Sequence, residues 1–278
     1  MNLTLAFIMF GIALDLSVDK FKGVFSTPKK LVAGLVAQLV LLPFLTYVLV
    51  VLTQPEPSIA LGMFLVAACP GGNISNFISS IAKANVALSI SLTTITSLAA
   101  ILFTPLNFSV YGNLYEPAED IMRTISLDWL EVIKAIAMII LIPILLGIIT
   151  RTRWPKFASR LSKPLERISM FLFLLIVVAA LTANLDQFID CVGAVFILVL
   201  LHNAVALSTG WMMGRLVGGT IDDKKALSIE TGIQNSGLGL LIIFSFFGGL
   251  GGMAIVTAWW GIWHIIAGFT VAYIWRRY

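Results

Sequence analysis

The sequence CPGGNISN at residues 69–76 contains an interruption, near residues 70–73, of an apolar stretch that is otherwise long enough to cross a membrane as one helix. In the C-terminal half of the chain, ETGIQNSG at residues 230–237 begins with an acidic residue and contains a second interruption near residues 232–237. In lipid, non-helical backbone is tolerated only where it is buried in protein or lines a watery cavity. Paired interrupted helices in corresponding halves of a chain are typical of a transporter binding site. The sequence therefore predicts that both interruptions contribute to one site inside a membrane.

The composition predicts an all-α membrane protein. Of the 278 residues, 59% are hydrophobic and only 12% are charged, and the mean hydropathy is +1.00. Soluble domains carry about 25% charged residues. The net charge of +4 resides mostly in short loops between apolar segments, so we expect membrane lipid and no nucleic acid among the partners. No feature of the sequence indicates an obligate protein partner.

Nine apolar stretches are candidate membrane spans, since a span needs about 20 mostly apolar residues. The predicted spans are residues 2–18, 30–53, 57–83, 85–105, 128–150, 166–185, 189–216, 223–248 and 252–275. The third and eighth contain the two interruptions. The longest predicted loop, residues 106–127, is expected to include an interfacial helix.

Loop charges support this count. If the nine spans alternate in direction, 16 of the 18 Lys and Arg residues fall on one side of the membrane, with a cluster at residues 151–167. The loops of the other side carry mainly acidic residues, such as Glu56 and Glu116. Because basic loops remain in the cytoplasm, we expect the N-terminus outside and the C-terminus inside.

The spacing of the interruptions predicts an inverted repeat. They lie in spans three and eight, five spans apart, so the second unit crosses the membrane in the opposite sense. Span two carries Gln38 within an apolar run, and span seven carries His202 and Asn203 in a similar one. Span five then has no counterpart, as though the first unit lacked its first helix.

Glu230 is the leading candidate for function. A buried ionised carboxylate costs several kcal/mol unless a positive charge compensates it, and no Lys or Arg lies between Lys225 and Arg276 in the sequence. The compensating charge is then a bound cation or a proton. The structural alternative is a protonated glutamate hydrogen-bonded within the bundle, although an acidic residue within a membrane span usually has a functional role.

Small oxygen-bearing side chains accompany this glutamate. Ser75 and Asn76 follow the first interruption, while Ser89 and Thr93 are four residues apart and share a helix face. Hydroxyl, amide and carboxylate oxygens suit a hard cation rather than a transition metal. A single Ser or Thr in a membrane more often packs helices together, so the prediction depends on their convergence. His264 in the last span is either a structural residue or part of the same pocket.

These motifs resemble the bile acid:sodium symporter family over nearly the whole chain. The matching segments are IMFG at 8–11, CPGG-x-x-SN at 69–76, NVALS at 85–89, IE-x-G-x-QNSG at 229–237 and WH at 263–264. The resemblance is to the nine-span bacterial members, which implies a location in the bacterial inner membrane. It also implies a single transmembrane domain, residues 1–278, divided into two parts. The core comprises about 30–105 and 189–275, and the panel, which moves against the core, comprises about 2–18 and 128–185.

The resemblance further implies two sodium sites. The first would use Ser75, Asn76, Ser89, Thr93 and Glu230. The second would use Gln38, Glu230, Gln234 and backbone carbonyls near Thr231 and Ile233.

The substrate side departs from the family pattern at two positions. Asn73 stands where family members usually have Thr or Ser, and Ile265 stands where they usually have Asn.

Two sodium ions against one carboxylate leave a net positive charge, which favours an anionic substrate. We therefore expect sodium-coupled symport of an organic anion, bile-acid-like, a carboxylate or a sulfonate, bound near Asn73, Asn235 and His264.

Three other functions stay open at this point. A proton-coupled or exchanging carrier of the same architecture would use Glu230 to take up protons. An intramembrane enzyme would use Glu230 and His264 as acid and base, although the chain has no HExxH, Walker or GxSxG motif, so we expect no enzymatic activity. A passive channel is the third alternative.

Overall fold

The structure is a computed structural model, and it describes residues 10, 14, 28–124, 129–183 and 185–277. For many residues between 129 and 192, only the backbone is described. The predicted first span, residues 2–18, therefore lies outside the described residues apart from Phe10 and Leu14.

The described chain is helical and contains no strand. Its α-helices are α1 Pro28–Val36, α2 Leu42–Thr53, α3 Pro57–Ala68, α4 Ile74–Ile81, α5 Val86–Leu114, α6 Glu119–Thr124, α7 Trp129–Arg153, α8 Pro155–Ala183, α9 Leu185–Leu216, α10 Ile221–Gly232, α11 Ser236–Phe246 and α12 Gly251–Trp275. A 3₁₀ turn at Glu116–Ala118 precedes α6.

Four helical segments are long and apolar enough to cross a membrane, within the described part of the chain. They are Pro28–Thr53, Val86–Leu114, Gly193–Leu216 and Gly251–Trp275. The helices on either side of the interruptions include two shorter apolar ones, α3 and α11. This pattern is that of an integral membrane protein.

A π-helical segment, Ala37–Leu41, joins α1 to α2 and contains Gln38. Pro43 is the second residue of α2, and its nitrogen cannot donate the hydrogen bond that Leu39 O would accept in a regular α-helix. The Asn107 side chain of α5 donates to this carbonyl instead, with Nδ2 2.9 Å from the oxygen. Wide turns of this kind often occur at functional sites.

The two interruptions cross each other in the middle of the bundle. Gly71 and Gln234 form an isolated antiparallel bridge. The amide of Gly72 donates to Ile233 O at 2.8 Å, and the amide of Asn235 donates to Pro70 O at 2.8 Å. Backbone groups that leave their helices are thereby paired with each other, which lets irregular chain remain buried.

Two sets of loops gather at opposite ends of this bundle. At one end, Lys30 Nζ lies 2.6 Å from Asp223 Oδ2 and Asn85 Nδ2 donates to Asp223 Oδ1 at 2.8 Å. At the other end, Tyr115 Oη donates to Pro55 O at 3.3 Å and Tyr47 Oη to Leu114 O at 3.4 Å. The starts of α1, α5 and α10 are therefore together, as the predicted alternation of spans requires.

Two predicted boundaries are wrong. The fourth span was expected to end at residue 105, but α5 continues to Leu114 because Phe108 still packs in the hydrophobic core beyond that point. The sixth was expected to begin at residue 166, but α8 begins at Pro155, whose ring suits a first helical position. The basic cluster at its start is therefore helical.

Candidate functional site

Glu230 lies near the end of α10, two residues before the second interruption, and only 1% of its surface is exposed. Its carboxylate accepts hydrogen bonds from three hydroxyl groups. Ser75 Oγ and Ser89 Oγ lie 2.6 and 2.9 Å from Oε2, and Thr93 Oγ1 lies 2.6 Å from Oε1. Among the described residues, no cationic side chain forms an ion pair with this carboxylate.

Asn76 completes the ring of oxygens. Its Oδ1 lies 2.9 Å from Ser89 Oγ and 3.3 Å from Thr93 Oγ1. The structure thus brings together all five residues assigned to the first sodium site. Every atom in these contacts is an oxygen, which matches the ligand preference of a hard cation.

The elements explain why these side chains converge. Ser75 and Asn76 occupy the first turn of α4, immediately after the interruption, where the helix dipole favours a nearby negative charge. Ser89 and Thr93 lie one turn apart on α5 and present the same face to α10. Three separate helices therefore contribute to one small polar volume.

The close packing around Glu230 requires a glycine at position 71. A Cβ atom placed on it would collide with Glu230 Oε1 and would lie 3.2 Å from Gln38 Nε2. The first interruption can approach the carboxylate only because this residue has no side chain.

The second group of predicted ligands is also assembled here. Gln38 Nε2 lies 3.4 Å from Gln234 Oε1, and Gln234 Nε2 donates to Thr231 O at 2.8 Å. Ile233 O accepts from the Gly72 amide and keeps a second lone pair. The buried Oε1 of Gln38 has no hydrogen-bond partner among the described residues. A buried acceptor without a donor is rare, and a cation would satisfy it.

The three predicted substrate residues do not form one hydrogen-bonded group in the structure. Asn73 and Asn235 are half-buried at the ends of the two interruptions, immediately before α4 and α11, and the Asn235 side chain caps α11 by accepting from Leu238 N at 3.1 Å. His264 lies on α12 and is buried. Its Nδ1 has no partner among the described residues, and no hydrogen bond joins it to either asparagine.

Residues with no predicted role support the interruptions. Asn203 on α9 donates from Nδ2 to Gly232 O at 2.7 Å, and Thr104 on α5 donates from Oγ1 to Ala68 O at 2.7 Å. Both carbonyls are the last of their helix before an interruption. Their sequence signal is a polar residue within an apolar span, which by itself does not identify the acceptor.

A third polar contact joins α2 to α9. Thr46 Oγ1 lies 2.7 Å from Leu42 O and 2.7 Å from His202 Nε2, so the hydroxyl group bonds both to its own helix and to α9. Both residues are fully buried. This contact links the two spans that were expected to correspond in the repeat.

Two broken helices whose interruptions pair beside a buried carboxylate define the class of this protein. It is a membrane transporter with discontinuous helices, because such helices place backbone and polar side chains at a site within the bilayer. Comparison with known proteins agrees with this class.

A family model described as the Sodium Bile acid symporter family matches residues 2–191. The uncharacterized sodium-dependent transporter YocS of Bacillus subtilis (strain 168) is 31% identical over 98% of this chain and 82% of its own length. The probable chloroplastic sodium/metabolite cotransporter BASS1 of Arabidopsis thaliana is 28% identical over 98% of this chain and 66% of its own length. A sodium-dependent organic anion transporter of Bos taurus is 25% identical over 84% of this chain and 60% of its own length. The chain belongs to the sodium bile acid symporter family.

Proposed function

We propose that this protein is a secondary active symporter that couples sodium entry to the import of an organic anion by alternating access. The observation that carries the proposal is the buried Glu230 carboxylate, which lies between two interrupted helices and is surrounded by oxygens of Ser75, Asn76, Ser89 and Thr93. The names of its relatives, which describe sodium-dependent transporters, support the same function.

The first sodium ion would bind within this oxygen ring. Glu230 supplies the negative charge, and the hydroxyl oxygens of Ser75, Ser89 and Thr93 keep lone pairs free for the ion. Since the ligands come from α4, α5 and α10, sodium would draw both interruptions and the neighbouring helix into one arrangement. Loss of sodium would remove the charge that compensates the buried carboxylate.

The second sodium ion would bind on the other side of Glu230. Its ligands would be Gln38, Gln234, Glu230 and the backbone oxygens of Thr231 and Ile233. The unpaired Oε1 of Gln38 supports this assignment, because it is a buried acceptor on a side chain whose Nε2 lies 3.4 Å from Gln234 Oε1.

An anionic substrate follows from the charge balance. Two monovalent cations and one carboxylate leave one positive charge at the crossing point, where the low dielectric strengthens attraction to an anion. A carboxylate or sulfonate would then bind beside Asn73 and Asn235, with His264 as a neutral hydrogen-bonding group. The departures at Asn73 and Ile265 lie on the substrate-facing side of the interruptions, so sodium coupling transfers from the family better than the identity of the substrate does.

The architecture that serves this mechanism has nine spans in two parts. A core of about 30–105 and 189–275 carries the site as an inverted repeat, and a panel of about 2–18 and 128–185 rearranges against it. The contact of Lys30 and Asn85 with Asp223 supports a core whose helices share a common end. By the positive-inside rule this end faces the cytoplasm of a bacterial inner membrane.

The test is uptake of candidate anions by proteoliposomes under a sodium gradient. Substrates are first selected by sodium-dependent thermal stabilisation, because a ligand that binds the folded state stabilises it by mass action. Replacement of sodium by choline or potassium should abolish uptake, and Glu230→Gln should abolish sodium-dependent stabilisation although the variant still inserts. Equal uptake without sodium would refute the proposal. Acid-stimulated, sodium-independent uptake would instead favour a proton-coupled carrier.

A further inference from the structure

Two residues of α5 that are not part of the oxygen ring each donate a hydrogen bond to a carbonyl beside the site. One carbonyl is at the first interruption, and the other is in the π-helical segment. Thr104 is buried and donates to Ala68 O of α3, and Asn107 is half-buried and donates to Leu39 O in the π-helical segment. They are three residues apart and therefore lie on one face of the helix.

Each acceptor is a carbonyl whose usual partner in a regular α-helix is not available. In an unbroken helix, Ala68 O would accept from the amide of residue 72, but the Gly72 amide donates to Ile233 O instead. In a regular α-helix, Leu39 O would accept from residue 43, which is Pro43 and has no N–H. A buried carbonyl without a donor is costly, so each side chain of the pair removes a specific penalty.

Other hydroxyl residues on the same helix behave differently. Thr94 Oγ1 donates to Ile90 O at 2.7 Å and Thr96 Oγ1 to Leu92 O at 2.8 Å, both within α5. This local bond is the usual choice for a threonine within a helix. Thr104 instead donates to a carbonyl of a different helix, α3, so its hydrogen bond connects two helices.

The acceptors adjoin proposed ligands. Leu39 follows Gln38, and Ala68 is the last helical residue before the interruption that contains Gly71 and leads to Ser75. The same helix, α5, carries Ser89 and Thr93 of the first sodium site. One helix thus both contributes ligands and holds the carbonyls that set the position of the others.

We propose that Thr104 and Asn107 are positioning residues for sodium binding: they hold the first interruption and the π-helical segment so that Gln38 and the start of α4 meet Glu230. This inference rests on the proposed sodium coupling. It assigns no direct contact with the ion to either residue. It predicts that loss of either bond weakens sodium binding, and not merely the fold.

The experiment is a sodium titration of thermal stability on the purified full-length protein. Thr104→Val and Asn107→Leu remove the donors while keeping side-chain volume. Each should raise the half-saturating sodium concentration by about two- to ten-fold, the effect of one hydrogen bond. Thr104→Ser keeps the hydroxyl and should restore the wild-type value. The matched controls are Thr94→Val and Asn113→Ala, whose hydrogen bonds stay within α5, and they should leave the sodium dependence unchanged.

The outcomes separate this inference from the proposed function. If the wild-type protein shows no sodium-dependent stabilisation, the proposed function fails and the inference with it. If the wild type responds but either folded variant keeps the wild-type half-saturating concentration, or the controls shift equally, only the inference is overturned. Should Thr104→Val not fold, Asn107→Leu decides the outcome by the same criteria.

Discussion

At the scale of single residues, the site depends on how one carboxylate is accommodated. Glu230 is buried, and it is stabilised by hydroxyl groups of Ser75, Ser89 and Thr93, while no basic side chain in the described part of the chain pairs with it. Hydrogen bonds alone do not compensate for the full free-energy cost of transferring an ion out of water. The arrangement is therefore suited to a mobile cation, which a fixed lysine or arginine would exclude.

Gly71→Ala tests how close the first interruption must come to this carboxylate. The added methyl group would collide with Glu230 Oε1, and overpacking of this kind typically costs about 1–3 kcal/mol. We expect the half-saturating sodium concentration to rise about five-fold or more in a titration of thermal stability. Gly193→Ala is the control, since a Cβ atom there meets no atom within 4 Å. Wild-type sodium affinity in Gly71→Ala would contradict the assignment.

At the scale of elements, each interruption requires donors for the backbone groups that it frees. Part of the requirement is met by the crossing itself, through Gly72 N to Ile233 O and Asn235 N to Pro70 O. The last carbonyls of the two preceding helices are satisfied by Thr104 and Asn203. Interrupted helices are stable here because neighbouring spans supply the missing partners.

Asn203→Leu tests this requirement at the second interruption. The variant leaves the buried Gly232 O without a donor, and we expect the free energy of unfolding to fall by about 1–3 kcal/mol, measured by reversible denaturation in detergent. Thr209→Val on the same helix is the control, because its hydroxyl donates to Val205 O at 2.7 Å, a carbonyl within its own helix. A change no larger than that of the control would show that Gly232 O needs no side-chain donor.

At the scale of the whole molecule, polar contacts hold the loops of one end together. Asp223 joins the start of α10 to α1 through Lys30 and to the start of α5 through Asn85. Thr220 and Asp223 also form a capping box at the start of α10. Under the proposed alternating-access mechanism, these contacts would let the core move as one unit against the other helices.

The orientation of this end is open to direct measurement. In a variant with Cys69 and Cys191 replaced by Ala, a membrane-impermeant maleimide should label Glu116→Cys on intact cells and Lys29→Cys only after permeabilisation. Both substituted residues are exposed and lie at opposite ends of the bundle. The reverse result would invert the proposed topology, and labelling of both on intact cells would refute the alternation of spans.

Much of the site could be predicted because its chemistry lies in short motifs. Ser75 and Asn76 follow the first interruption directly, and the spacing of Ser89 and Thr93 places them on one helix face. The donors Thr104, Asn107 and Asn203 could not be assigned acceptors, because those carbonyls belong to distant segments. The span boundaries at residues 105 and 166 were misplaced because hydropathy does not register a helix that continues past the apolar stretch.

The sequence by itself determined the membrane class, the positions of both interruptions and the identity of the buried acid, since composition, glycine and proline act locally. Only the tertiary structure decided that the interruptions pair with each other and that Gln38 faces Gln234. Those contacts join residues that are more than 150 positions apart. Their formation depends on how the helices pack, and a local pattern carries no information about which distant backbone groups will meet.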